Sequence, residues 1–139
     1  MLKSVLLSFT ALVASGYLYA QTGQLTVKIT GAEQDKGKVF IALSPNEDNY
    51  KDNDNAFIEA QADVVDGNSS YTFKNLKNGF YAVKVFHDEN ENGELDTNFI
   101  GIPKEPVGFS NNPKLRGMPS FDKVRIEVQG NKNIVVKLQ

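Results

Sequence analysis

The chain of 139 residues contains no cysteine, no tryptophan and a single histidine, His87. Without cysteine it cannot form disulfide bonds, iron–sulfur clusters or thiolate zinc sites, and one histidine is too few for the usual catalytic zinc site. Its 15 basic and 17 acidic residues are nearly balanced and form no basic block. We therefore expect neither nucleic acid nor an anionic membrane surface as a partner.

The first twenty residues have the layout of a secretory signal peptide. Lys3 supplies the positive end, Val5 to Val13 form a mostly apolar segment, and a small residue, Ala20, ends a plausible cleavage site. The apolar segment is too short to span a bilayer comfortably. We predict a signal peptide over 1–20, a single domain over 21–139 without a transmembrane anchor after cleavage, and a periplasmic or secreted location.

The remaining chain is typical of short β-strands separated by turns. Leu25, Val27 and Ile29 alternate with polar residues, which is the period of a half-buried strand. Further strands are predicted at 38–43, 56–65, 71–73, 80–86, 124–128 and 134–138, and 44–55 is predicted to be a loop. About seven short strands with frequent turn residues favour an all-β fold, an antiparallel β-sandwich of transthyretin or immunoglobulin type.

A long segment, residues 97–122, does not fit a strand pattern. It holds four of the five prolines together with many apolar residues. Connections of this length in a small domain are usually functional or disordered, and disordered segments are poor in apolar residues. We therefore predict a long ordered loop, which either covers a sheet edge or has a binding role.

The segment from Asp88 to Asp96 follows a predicted strand directly and carries oxygen-bearing side chains at alternate positions. Its candidate metal ligands are Asp88, Asn90, Asn92, Glu94 (through its backbone carbonyl) and Asp96. A tight turn with alternating Asp and Asn supplies several of the oxygen ligands that Ca²⁺ requires, and Gly93 permits the turn. This is the front half of a calcium-binding loop.

The loop is not an EF-hand, because Phe99 stands where the bidentate Glu would be and the flanking segments are not helical. We expect weak Ca²⁺ binding, with a Kd of about 10⁻⁴–10⁻³ M, completed by ligands from elsewhere or by water. The alternatives are a metal-free Asx-rich turn and another cation.

A second set of residues is predicted to bind a ligand or to anchor the long loop. His87 could be structural, metal-adjacent or catalytic, and Ser110 is a candidate nucleophile, although its surroundings lack the second glycine of a nucleophile elbow. Loop aromatics beside polar residues could contact a sugar ring or a peptide, or could pack in the core. The full set is His87, Lys104, Phe109, Ser110, Asn111 and Phe121.

Several motifs in series resemble the bacterial family catalogued as domain of unknown function 2141. They lie at 78–83, 87–90, 95–98, 101–105, 108–111 and 119–121, so the likeness is strongest from Leu76 to Phe121. The resemblance implies a small exported protein without an assigned activity. Residues 76–85 are also similar to the strand entry of transthyretin-like and carboxypeptidase-regulatory-like sandwiches, which bears on fold and not on function.

Together these observations predict a non-enzymatic, exported β-sandwich that binds Ca²⁺ and acts as a binding or accessory module of the cell envelope. We expect a monomer whose partner is an unknown protein or saccharide. The alternatives are a small extracytoplasmic hydrolase that uses His87, and a metal-free structural adaptor.

Overall fold

The computed structural model describes residues 21–52 and 58–139, and these form eight strands and two short helices. The elements are β1 (Thr22–Thr30), β2 (Lys38–Ser44), α1 (Glu47–Lys51), β3 (Ile58–Asp63), β4 (Asn68–Lys77), β5 (Gly79–Asp88), β6 (Val107–Phe109), α2 (Phe121–Val124), β7 (Ile126–Val128) and β8 (Asn131–Lys137). The all-β prediction is confirmed. The predicted signal peptide lies outside the described residues.

The strands form two sheets. One has the order β4-β1-β8, and the other has the order β3-β2-β5, with β6 and β7 pairing with the two ends of the remaining edge of β5. All pairs are antiparallel except β1 and β8, which run parallel. The sandwich differs here from the antiparallel arrangement we expected, because the chain enters β8 from β7 of the opposite sheet and not through a hairpin from β1.

The core lies between the inner faces of the sheets. Leu25, Val27 and Ile29 of β1 are buried, as their alternation predicts, and they belong to one cluster with Val83 and Val85 of β5. Complete burial of each such side chain contributes about 1.5–3 kcal/mol relative to exposure.

A smaller apolar cluster lies on the outer side of β5. Tyr50 of α1, Ala82 of β5, Phe109 of β6 and Val124 of α2 form it, and all four are buried. Because β5 is thus covered on both faces, its burial is nearly continuous from Tyr81 to Asp88.

Three local predictions need correction. Residues 47–51 form α1 and not a loop, because Asn46 caps the turn by accepting from the backbone N–H of Asn49 at 2.9 Å and Tyr50 is buried beneath it. A single helical turn is too short to show helical periodicity. The long loop contains the short strand β6, and α2 occupies the start of the strand predicted at 124–128.

In the described ranges, no helix is long and apolar enough to cross a bilayer.

Candidate functional site

The candidate loop begins at Asp88, the last residue of β5. The Asp88 side chain is buried, and its two carboxylate oxygens accept from the backbone N–H groups of Asn92 at 3.2 Å and Gly93 at 2.8 Å. Gly93 has a φ of 79°, which glycine adopts without the steric cost that a Cβ would add. The carboxylate and the glycine together close a tight turn.

Three further side chains predicted as ligands meet at the mouth of this turn. The Asn92 amide nitrogen lies 3.1 Å from both carboxylate oxygens of Asp96, and the Asn90 amide nitrogen donates to one of them. A half-turn of an Asn amide group exchanges its nitrogen and its oxygen. Such a half-turn in Asn90 and Asn92 would direct only oxygens toward a common point, at the cost of the bonds that their side-chain oxygens accept from the N–H groups of Asn92 and Glu94. Glu94 is exposed and joins the loop through its N–H, which donates to Oδ1 of Asn92 at 3.0 Å.

Glu105 is a site residue that the predicted ligand set did not include. Its buried carboxylate accepts from the N–H of Glu89 at 3.0 Å through Oε1 and from the N–H of Asp96 at 3.1 Å through Oε2. One carboxylate thus holds both ends of the loop, and the N–H of Lys104 adds a bond to the Asp96 carbonyl at 2.8 Å. No local pattern could have indicated this role, because Glu105 lies in irregular chain between two prolines.

Beside the loop lies a hollow of about 380 Å³. It is lined by Glu89, Asn90, Asp96, Lys104 and Glu105. Three carboxylates against one ammonium group make the lining favourable for a cation. Among residues 21–52 and 58–139, no group of three or more His, Asp and Glu side chains is arranged to hold a metal. A cation here would therefore need amide or carbonyl oxygens or water besides carboxylates, which is a donor set that Ca²⁺ accepts.

His87 is fully buried and anchors two connections. Its Nε2 donates to the Lys36 carbonyl at 2.7 Å, and its backbone N–H donates to the Pro106 carbonyl at 2.9 Å. Its Nδ1 lies 3.8 Å from a Glu89 carboxylate oxygen, which is beyond hydrogen-bond length, and has no hydrogen-bond partner within the described residues. The position of His87 fits the loop-anchoring alternative.

Ser110 and Asn111 join β5 to the segment around α2. The buried Ser110 hydroxyl accepts from the N–H of Val83 at 3.0 Å and donates to the Val124 carbonyl. The Asn111 amide donates to the carbonyls of Lys123 and Arg125 at 3.2 and 3.0 Å. Both hydrogen-bonding roles of the Ser110 hydroxyl are therefore used by the backbone.

The aromatic residues of the long loop do not form one surface. Phe109 is buried, and Phe121 packs edge-to-face on Tyr50 with the ring centroids 5.9 Å apart. In contrast, Phe99 is 98% exposed. Lys104 is exposed at the hollow and not beside Phe109 or Phe121 in their cluster.

Burial also shifts the pKa of two ionisable groups, Tyr50 in the outer cluster and Lys84 beside it. It raises the pKa of Tyr50 to about 12, and the Tyr50 hydroxyl donates to the Pro119 carbonyl at 2.8 Å. Burial lowers the pKa of Lys84, whose ammonium group donates to the Tyr50 carbonyl at 2.8 Å. Both groups hydrogen-bond to backbone carbonyls at the outer cluster and lie outside the lining of the acidic hollow.

A family model described as "Uncharacterized protein conserved in bacteria (DUF2141)" matches residues 27–136. The chain belongs to this family. The match confirms the resemblance that the motifs indicated, and it includes the whole Asp88–Asp96 loop, Glu105 and the outer cluster. No curated protein and no solved structure matches the chain. The family assignment carries no activity, so the function has to be argued from the geometry of the chain.

Proposed function

We propose that this family member is a non-enzymatic β-sandwich whose Asp88–Asp96 loop binds Ca²⁺ weakly, and that it serves as a binding or accessory module of the cell envelope. The observation that carries the proposal is the convergence of Asn90, Asn92 and Asp96 above a turn closed by Asp88. A hard cation suits these groups because it binds oxygen ligands. It would take the place of the contacts between the amide nitrogens and the Asp96 carboxylate, and the amide oxygens and the carboxylate would then be its ligands.

The way in which the loop is held favours Ca²⁺ over a more demanding ion. Glu105 binds both ends through backbone N–H groups, while the side chains between those ends are exposed or half-buried. Such a loop can adjust its ligand distances and admit water. Mg²⁺ requires near-ideal octahedral geometry, whereas Ca²⁺ accepts six to eight ligands in flexible arrangements.

The proposal includes export, on the evidence of the residues at positions 1–20 alone. A charged start, an apolar segment and a small residue before Gln21 are typical of a cleaved leader. Extracytoplasmic Ca²⁺ sites often work at millimolar Ca²⁺, which matches the weak affinity expected of two carboxylates and two amides. Mass spectrometry of the protein from fractionated cells should find an N-terminus at Gln21 outside the cytoplasm. An intact Met1 in the cytoplasm would contradict export.

Thermal unfolding tests the calcium site. For a Kd of 10⁻⁴–10⁻³ M, 10 mM CaCl₂ should stabilise the folded protein by about 1.4–2.7 kcal/mol relative to EDTA. This corresponds to a rise in Tm of about 5–10 °C for a domain of this size. The test variant is Asp96→Asn, which keeps the size of the side chain and removes one charged ligand. We expect it to lose most of the calcium-dependent rise.

The matched control is Asp122→Asn, because the Asp122 side chain is exposed in α2 and pairs only with the exposed Arg125 among the ion pairs of the described chain. It should keep the whole rise. Equal concentrations of MgCl₂ distinguish a calcium site from general ionic stabilisation. The calcium site would be contradicted by the same Tm in EDTA and in CaCl₂, or by a rise in Asp96→Asn equal to that of the unsubstituted protein. Either result would leave the loop as a metal-free turn.

A further inference from the structure

An apolar tip projects from the chain beside the candidate loop. We define the tip as Asn98–Pro103. Within it, Phe99 is 98% exposed, Ile100 65% and Ile102 54%. Three large apolar side chains displayed within four residues differ from the single exposed hydrophobic residues that are common on protein surfaces.

The tip is ordered by its own hydrogen bonds. The Asn98 side-chain oxygen accepts from the N–H groups of Ile100 at 3.0 Å and Ile102 at 2.9 Å. The Asn98 backbone donates to the Ile102 carbonyl at 2.9 Å and accepts from Gly101 at 3.0 Å, and a bridge between Thr97 and Pro103 closes the base. The apolar side chains are therefore presented by a fixed turn, so little ordering would be needed on binding.

The same bonds limit how deep the tip can enter an apolar medium. The N–H groups of Asn98, Ile100, Gly101 and Ile102 are all satisfied within the tip. The N–H of Phe99 and the carbonyls of Phe99, Ile100 and Gly101 have no hydrogen-bond partner among the described residues. Because each unsatisfied backbone group costs several kcal/mol in hydrocarbon, this backbone has to stay in the hydrated interface while the side chains reach the acyl boundary. From Asn98 to Pro103 there is also no charged side chain, and charge first appears at Asp96 and Lys104.

A protein partner fits these features less well. Protein interfaces carry about one hydrogen bond per 100–200 Å² and a polar rim. The tip has one polar side chain, Asn98, and its oxygen is already used twice within the turn. Phe99, Ile100 and Ile102 are moreover exposed and line no pocket in the described part of the chain, so the tip offers no concave surface for a partner side chain, whereas a bilayer surface requires none.

We propose that the tip is a lipid-contacting element, with Phe99, Ile100 and Ile102 entering the interface of a zwitterionic bilayer. Binding is apolar, weak and reversible, because three side chains bury little area. It does not require Ca²⁺ and does not depend on the calcium proposal. It is also compatible with the acidic surroundings of the tip, since these disfavour an anionic surface and leave a neutral one acceptable.

The absence of tryptophan provides a direct test. Residues 21–139 contain all the described strands and both hydrophobic clusters, and this folded unit carries the substitutions. Phe99→Trp places a single fluorophore at the tip, and Met118→Trp places one at a control position that is 55% exposed. With phosphatidylcholine vesicles in EDTA, we expect a blue shift, and quenching by brominated acyl chains, for Phe99→Trp only.

Vesicle sedimentation of the tryptophan-free chain provides the second measurement. Phe99→Ser with Ile100→Ser should lower the vesicle partition coefficient about tenfold or more, whereas Val65→Ser, at a 65% exposed position, should not change it. Raising NaCl to 0.5 M should not release the protein, because the contact is apolar.

Four results would overturn the lipid proposal. One is an unchanged Phe99→Trp spectrum with vesicles, and another is an equal shift in Met118→Trp. The third is a blue shift that rises with protein concentration without vesicles, which would assign the tip to contacts between copies of the chain. Vesicle binding only in the presence of Ca²⁺ would also contradict the calcium-independent contact. The Tm assay tests only the calcium site and the vesicle assays test only the tip, so either proposal can fail while the other holds.

Discussion

The tip (Asn98–Pro103) and the return segment, residues 107–121, belong to one long connection and have similar compositions. Both contain proline, glycine and large apolar residues, yet the tip exposes its apolar side chains, whereas the return segment buries Phe109, half-buries Leu115 and Phe121, and exposes Met118. The difference lies in what each segment can reach. The return segment begins as β6 at the edge of β5 and packs its apolar side chains in the outer cluster with Ala82, whereas the tip follows the Asp88–Asp96 loop. Position relative to the sheet, and not composition, decides burial.

The largest expected effect comes from truncating an aromatic residue in each segment. Phe109→Ala should lower the free energy of unfolding by about 3–5 kcal/mol, because it leaves a cavity beside Tyr50 and Val124. Phe99→Ala should change it by no more than about 0.5 kcal/mol, since Phe99 is almost fully exposed. Urea denaturation measures both values. Similar losses in the two variants would remove the proposed contrast.

The next effect is a pH dependence to which Tyr50, a packing partner of the return segment, contributes. The pKa of Tyr50 is about 12 in the folded protein against an ordinary value near 10. Between those pH values the unfolded chain has released a proton that the folded chain retains, so the unfolded state binds fewer protons. The contribution of Tyr50 to stability is therefore complete below pH 10 and is lost up to pH 12, by at most about 2.7 kcal/mol. Burial also raises the pKa of Tyr81, which acts in the same direction.

Denaturant midpoints measured from pH 9 to pH 12 check this dependence. Tyr50→Phe should be less stable at pH 9, because the bond to the Pro119 carbonyl is lost, and should decline less toward pH 12. Tyr71→Phe is the control, since Tyr71 is exposed in β4. It should decline as the unsubstituted protein does. The same decline in Tyr50→Phe would assign the pH dependence to other groups.

The third effect concerns the contact between the return segment and the edge of β8. Asn112 donates to the Val135 carbonyl at 2.8 Å and accepts from the N–H of Lys137 at 2.7 Å, as a neighbouring strand would. Asn112→Ala should cost about 1–2 kcal/mol and should speed hydrogen exchange at the Lys137 N–H.

A second variant separates the lost bonds from backbone strain. Asn112 has a φ of 46°, which disfavours alanine, so Asn112→Gly removes the side chain at a conformation that glycine tolerates. Rapid exchange at Lys137 in both variants would confirm the edge contact. Slow exchange in Asn112→Gly would show that the side chain does not protect this edge.

These contrasts define what could be predicted from the sequence. The alternation at Leu25, Val27 and Ile29 predicted β1, because burial on one face of a strand repeats every second residue. The turn at Asp88–Gly93 was also predictable, since its bonds join near neighbours. Glu105, the parallel pairing of β8 and the exposure of Phe99 depend on contacts between distant segments, and no local pattern encodes those contacts.

The parallel pairing of β1 with β8 has a consequence for folding. The first strand forms one side of its sheet with β4, but its other side is completed only by residues 131–137. As the chain is synthesised, that edge of β1 stays unpaired until residues 131–137 have been made. Contacts between residues so distant in sequence form slowly. We therefore expect the domain to fold late and slowly, and a chain that lacks β8 to leave Val27 and Ile29 partly uncovered.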